Sequence, residues 1–123
     1  QSTYRAAVRT HLAKGVCLAQ WDRLPDAEAS LTRAFELDPG DPTITLNLAE
    51  VLFRRGELER ARQHIRRVNA REEYVNAQTL WLALRIEHRL GNEPAMIDFG
   101  RQLRTRFPQS REALAYERGQ FSG

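Results

Sequence analysis

The chain has 123 residues, 41% apolar and 28% charged, which is enough hydrophobic material for one packed domain and too much for a disordered tail. Basic residues outnumber acidic ones nineteen to sixteen, a formal charge of +3, and every basic residue except Lys14 is an arginine. A single cysteine excludes an internal disulfide, and no apolar stretch within these residues is long enough for a membrane span or a signal segment.

The planar fork of arginine suits carboxylates and backbone carbonyls better than a diffuse polycationic role. The basic excess lies in residues 42–123, but glutamates are woven among the arginines there, so the pattern reads as a solvated, ion-paired helix surface and not as a nucleic-acid face.

In chain order, the spacing predicts a first helix from about Tyr4 to Trp21, with Cys17 on its apolar side as a buried small hydrophobe. Leu24-Pro25-Asp26 opens a second helix, where proline is tolerated in the first turn, and Asp38-Pro39-Gly40-Asp41-Pro42 closes it. A second pair is expected over about 42–55 and 58–70, broken at Gly56, and a third over about 74–90 and 93–106, broken at Gly91-Asn92. After Arg106-Phe107-Pro108, Ser110 is a good N-cap for a seventh helix ending at Gly119, placed to cover the apolar end of the stack. No alternating strand pattern occurs.

The pairs share one frame. With Pro42 as position one, Leu48 and Ala49 fall at seven and eight, Leu52 at eleven, Gly56 at fifteen and Ala61 at twenty. An earlier copy, thirty-four residues upstream, holds Gly15, Leu18, Ala27, Leu31, Ala34 and Pro39; a later one, running one residue late, holds Ala83, Leu84, Gly91, Met96, Leu103 and Pro108. This frame resembles the tetratricopeptide repeat. The resemblance implies an all-α superhelix: a single domain over 1–123, with repeats at about 8–41, 42–75 and 77–109 and a capping helix at about 110–119. Four positions depart from the frame: His11 and Lys14 replace apolar residues, Glu87 stands at a usual aromatic place, and Gly100 stands where a large residue normally packs. Drift in a divergent repeat accounts for them, with Gly100 letting its helix sit close to a neighbour.

Catalytic chemistry finds no support. His11, His64 and His88 fall in three different repeats, none with a second ligand at metal-binding spacing, so no metal is expected. Glu57, Glu59, Glu72 and Glu73 sit at helix starts, where they complement the helix dipole. No Gly-rich phosphate loop, nucleophile elbow or Cys-x-x-Cys is present. The reading is therefore a non-enzymatic protein-binding module with no cofactor, expected to be a monomer.

In tetratricopeptide repeats the first helix of each pair lines the concave side, which implies a groove built from Leu12 and Val16, then Leu46, Phe53 and Arg54, then Trp81, Arg85 and Arg89. Phe53 and Trp81 are natural anchors in that groove, although Trp81 serves equally well as packing between adjacent helices. Asn47 sits where these domains often use an amide on a ligand's backbone. Ala13 and Leu82 hold the same place in the flanking repeats, so a two-carboxylate clamp is not supported.

A closer resemblance lies in the run from Leu80 to Gly91 (LWLALRIEHRLG), in Phe99-Gly100-Arg101-Gln102-Leu103-Arg104 and in Arg106-Phe107-Pro108. With Gly15-Val16-Cys17, Asn47-Leu48-Ala49-Glu50 and Tyr116-Glu117-Arg118-Gly119, these strings look like the C-terminal part of the type IV pilus biogenesis and stability proteins called PilF or PilW. The resemblance implies a pilotin: an outer-membrane lipoprotein on the periplasmic side, of about six repeats, that brings the secretin to the outer membrane and promotes its assembly. The partner would be a secretin subunit, and membrane contact would come only through a lipid anchor that this chain lacks. The chain begins at Gln1 just ahead of a repeat, and so reads as the C-terminal part of something longer. The alternative is a generic repeat scaffold in another multiprotein complex.

Overall fold

A computed structural model describes residues 2–121. Among them are seven α-helices and one short 3-10 turn, with no strand. The helices are α1 (Ser2–Gln20), α2 (Leu24–Leu37), α3 (Pro42–Arg54), α4 (Leu58–Asn69), α5 (Ala77–Arg89), α6 (Glu93–Arg106) and α7 (Arg111–Glu117). They gather into two compact units, residues 1–57 and 58–123.

In the first unit, α1 packs on α2, and α2 on α3. Gly15 makes the first contact close: a Cβ built on it would lie 2.5 Å from Cγ of Leu31, so only a residue without one fits. Ala27, Leu31 and Ala34 of α2 are fully buried, and Val8, Ala34 and Ile44 form a small core lined by Leu12, Phe35 and Leu37. Asp41 caps α3 by accepting from the N–H groups of Thr43 (2.8 Å) and Ile44 (3.4 Å), while Pro42 takes the first helical position. Cys17 is exposed, contrary to expectation. Nine residues, about two and a half turns, separate it from buried Val8, so the two lie on opposite sides of α1.

One turn recurs after the first helix of each pair. The chain reverses through a left-handed residue at Asp22 (φ 60°), Gly56 (φ 81°) and Gly91 (φ 77°). The next N–H reaches back five residues in each case: Arg23 to Leu18 (2.9 Å), Glu57 to Leu52 (2.8 Å) and Asn92 to Glu87 (2.9 Å). This closure satisfies carbonyls left open at a helix end. Gly56 and Gly91 therefore stand where the sequence places its helix breaks.

In the second unit, α5 is central, packing on α4, α6 and α7. It starts at Ala77, later than the expected 74, because Asn76 and Thr79 form a reciprocal capping box and residues 72–74 make a separate 3-10 turn. Leu80, Leu84, Leu103 and Ala113 form the buried core. The seventh helix does cover this core. Ser110 caps it at the N-H of Ala113 (3.0 Å), and Tyr116 lies directly over Gly100, where a Cβ would fall 2.1 Å from the ring.

Glu87 is not drift. It is 3% exposed and takes a two-pronged contact from Arg62 of α4, Nε to Oε2 at 2.9 Å and Nη2 to Oε1 at 2.6 Å, with a third bond from the Asn92 amide (3.0 Å). The Glu87 carboxylate in turn holds the Arg62 guanidinium above its ordinary pKa.

Two predictions follow from this packing. Gly100→Ala should cost about 1–3 kcal/mol by forcing the Tyr116 ring aside, read as a lower urea midpoint, and adding Tyr116→Leu should recover part of the loss. An unchanged midpoint would mean that α7 shifts freely. The second concerns His64, which burial and the charges of Arg67 and Arg60 hold below the ordinary imidazole range. The fold then favours the neutral ring, so its contribution is whole above the unfolded pKa of about 6.5 and is lost as pH falls through the lower folded value. Unfolding free energy should decline on acidification from pH 7, and His64→Gln should flatten that decline.

Candidate functional site

The side of each first helix that carries the expected groove positions is covered to a different extent in each pair. On α1 that side forms an open, mainly apolar depression of about 480 Å³ lined by Arg9, Leu12, Ala13, Val16, Cys17 and Gln20. These residues recur every three or four positions, so they form one stripe along the helix. Leu12 and Val16 are half-buried at its floor.

On α3 the expected residues divide. Leu46 is half-buried and remains at the surface. Asn47 spends one amide hydrogen on its own helix, donating to the Thr43 carbonyl at 2.8 Å. Phe53 is not an exposed anchor: it is 2% exposed, in a helix that also buries Val51 and Leu52 beside it, so more than one stripe of α3 is covered. Arg54 is a strut. Its Nη1 donates to the Ala19 carbonyl (3.2 Å) and its Nη2 to Oδ1 of Asp22 (2.9 Å), closing the end of α1 and the left-handed turn beyond it.

On α5, Trp81 is half-buried and belongs to the apolar cluster of the second unit. Arg85 is 8% exposed, with its guanidinium carbon 5.6 Å from the Trp81 ring centre. Its aliphatic stem and stacked head are part of the packing, which removes it from the free arginines expected beside the anchors. Arg89 is exposed. The sequence reading passed over Phe121, which packs against Trp81, His88 and Tyr116. Its signal was an isolated aromatic residue in an otherwise polar tail after Gly119. It also missed the role of Arg62, whose partner Glu87 was visible as a lone carboxylate in an apolar stripe.

Among the described residues no group of three or more His, Cys, Asp or Glu side chains is placed to hold a metal ion, and no helix is long and apolar enough to cross a membrane. Paired helices of this length, closed by one recurrent turn, define a helical-repeat scaffold for protein interaction. Residues 18–80 match the tetratricopeptide repeat family model, and the chain belongs to that family. Among solved structures it is similar to PilW, described as a widely conserved type IV pilus biogenesis factor, at 31% identity and a TM-score of 0.77 over 86% of this chain and 48% of that one. It also superposes on PilF of Pseudomonas aeruginosa at 21% identity and a TM-score of 0.77, covering 97% of this chain and 53% of that one, a likeness of fold. The chain thus spans about half the length of each of these relatives. Comparison with curated protein sequences gives no match.

The strut at Arg54 can be tested directly. Arg54→Ala should lower stability by about 1 kcal/mol, discounted for its partial exposure, through the open carbonyl at the end of α1. Thermal unfolding measures this, and a variant as stable as the parent would return Arg54 to the surface available for partners.

Proposed function

We propose that this chain is a non-catalytic protein-binding module of type IV pilus biogenesis, acting in a pilotin whose partner is a secretin subunit. The observation that carries the reading is the 31% identity to PilW, held over 86% of the chain at a TM-score of 0.77. The strings from Leu80 to Gly91 and from Phe99 to Pro108 point the same way. In this reading the full-length protein works at the periplasmic face of the outer membrane, tethered by a lipid anchor outside these residues.

We assign partner binding to first-helix surfaces in each unit separately: Leu12 and Val16 on α1 with Leu46 and Asn47 on α3 in the first, and Trp81 and Arg89 on α5 in the second. The depression on α1 supports this choice, because half-buried apolar side chains at the floor of an open surface are what a partner's anchor residues require. Phe53, Arg54 and Arg85 support the scaffold beneath these surfaces.

Leu12→Glu with Val16→Glu should reduce capture of the secretin by full-length protein about tenfold or more, since a charge replaces an apolar floor; because Leu12 also lines the core of Val8, Ala34 and Ile44, circular dichroism first establishes that the double variant is folded. Pull-down of solubilised secretin measures it. Full capture by a folded double variant would remove α1 from the binding surface, and no capture by the parent would favour a scaffold of another complex.

A further inference from the structure

The exposed side of α5 is already occupied, and its occupant belongs to the chain. Trp81, Arg85 and His88 fall at intervals of four and three residues, along one side of the helix. The Phe121 ring rests there, its centre 4.8 Å from that of His88 and 6.1 Å from those of Trp81 and Tyr116, tilted by 43–49° to all three. Ring pairs at such separations gain more than their buried area alone supplies, so an aromatic side chain is favoured here over an aliphatic one of similar area.

Phe121 is half-buried at the margin of the second unit's core. It lies beyond the end of α7 at Glu117 and outside any helix. The last backbone tie before it is the Gln120 N–H to the Ala115 carbonyl, at 2.9 Å. The buried core beneath, Leu80, Leu84, Leu103 and Ala113, is lined by Trp81, Met96, Phe99, Tyr116 and Phe121 alike, and Phe121 in addition reaches outward to His88, which is exposed. A ring at the rim of a core, on a short tether, behaves as a ligand at high local concentration.

We propose that Trp81, His88 and Tyr116 form a seat for an aromatic side chain of an extended partner segment, and that Phe121 is a tethered placeholder which the partner displaces. The inference rests on the reading that the first helices of the pairs carry the protein-binding face, and adds to it the class of side chain taken at α5 and an internal competitor that sets a threshold for binding.

The test uses the 123-residue chain with Trp21→Phe, which leaves Trp81 as the single indole reporter. Acetyl-Gly-Phe-Gly-amide is titrated against it and against the same chain carrying Phe121→Ala, following the Trp81 indole N–H by NMR; acetyl-Gly-Leu-Gly-amide is the control. Removing Phe121 should strengthen binding of the Phe peptide at least fivefold and leave the Leu peptide weaker than the Phe peptide. Adding His88→Ala should reverse the gain. Equal affinity with and without Phe121, or equal response to both peptides, overturns the proposal. Should Phe121→Ala loosen the fold, Phe121→Leu keeps an apolar cover, and its failure to bind the Phe peptide better than the parent overturns the proposal too. A concentration-dependent dimer that Phe121→Ala abolishes also overturns it, since the seat would then serve a second copy. The peptides are independent of the secretin: peptide binding without secretin capture defeats only the pilus reading, and the reverse defeats only this one.

Discussion

Close approach between neighbouring helices, made possible by residues with almost no side chain, is the constraint on which the remaining features depend. Gly15 admits Leu31 to within a distance that any Cβ would forbid, and Gly100 does the same for the Tyr116 ring. Ala27 and Ala34 in one unit, and Ala83 and Ala113 in the other, are buried as well. At such distances few voids remain to be filled, and large buried side chains such as Leu31, Leu48, Leu84 and Leu103 occupy the space that the small residues leave. With one side of α1 spent in this way, the side bearing Val16 and Cys17 is left to the surface. The depression on α1 follows from that division of faces.

The seams and turns could be read from the amino-acid order because both are local. Small residues recur at fixed intervals, prolines and glycines punctuate them, and the left-handed turns at Gly56 and Gly91 are where the breaks were expected. What could not be read depends on residues brought together from afar. Arg54 finds Ala19 and Asp22 only when the ends of α1 and α3 are side by side, thirty-odd residues apart in sequence. Phe53 looked like an anchor because a single-stripe helix would have exposed it, and α3 buries more than one stripe. Cys17 failed for a simpler reason: apolar neighbours in sequence do not share a face when they stand nine residues from Val8.

The departures from the repeat pattern carry more information than the pattern. Glu87 replaces an apolar residue, and a well-packed hydrophobic pair at such a site is often at least as stable as an ion pair. What Glu87 and Arg62 add is registration. Both carboxylate oxygens are held by one guanidinium fork, and a slide of α4 along α5 by a single turn, about 5.4 Å, would leave a buried carboxylate without its partner. Asp22 makes a similar substitution at the first turn, where the other two repeats use glycine. The left-handed backbone there is less favourable for a residue with a Cβ, but its carboxylate receives Arg54, which glycine could not.

This use of arginine bears on how partners are chosen. The net charge of +3 suggests an electrostatic surface, yet the arginines at 23, 33, 54, 55, 62, 71, 101, 104, 106 and 111 all hold carboxylates of the same chain. Most of these pairs are exposed and contribute little to stability, but each lowers the field available to steer an incoming partner. Arg85 is drawn into stacking on Trp81 and is removed in the same sense. The faces we propose for recognition are instead defined by shape and by apolar or aromatic surface: Leu12 and Val16 at the floor of one depression, and Trp81, His88 and Tyr116 around one ring. A partner matched to such faces is distinguished by the side chains it inserts, and its association should depend only weakly on salt, because screening acts on charges that this chain has already paired with its own.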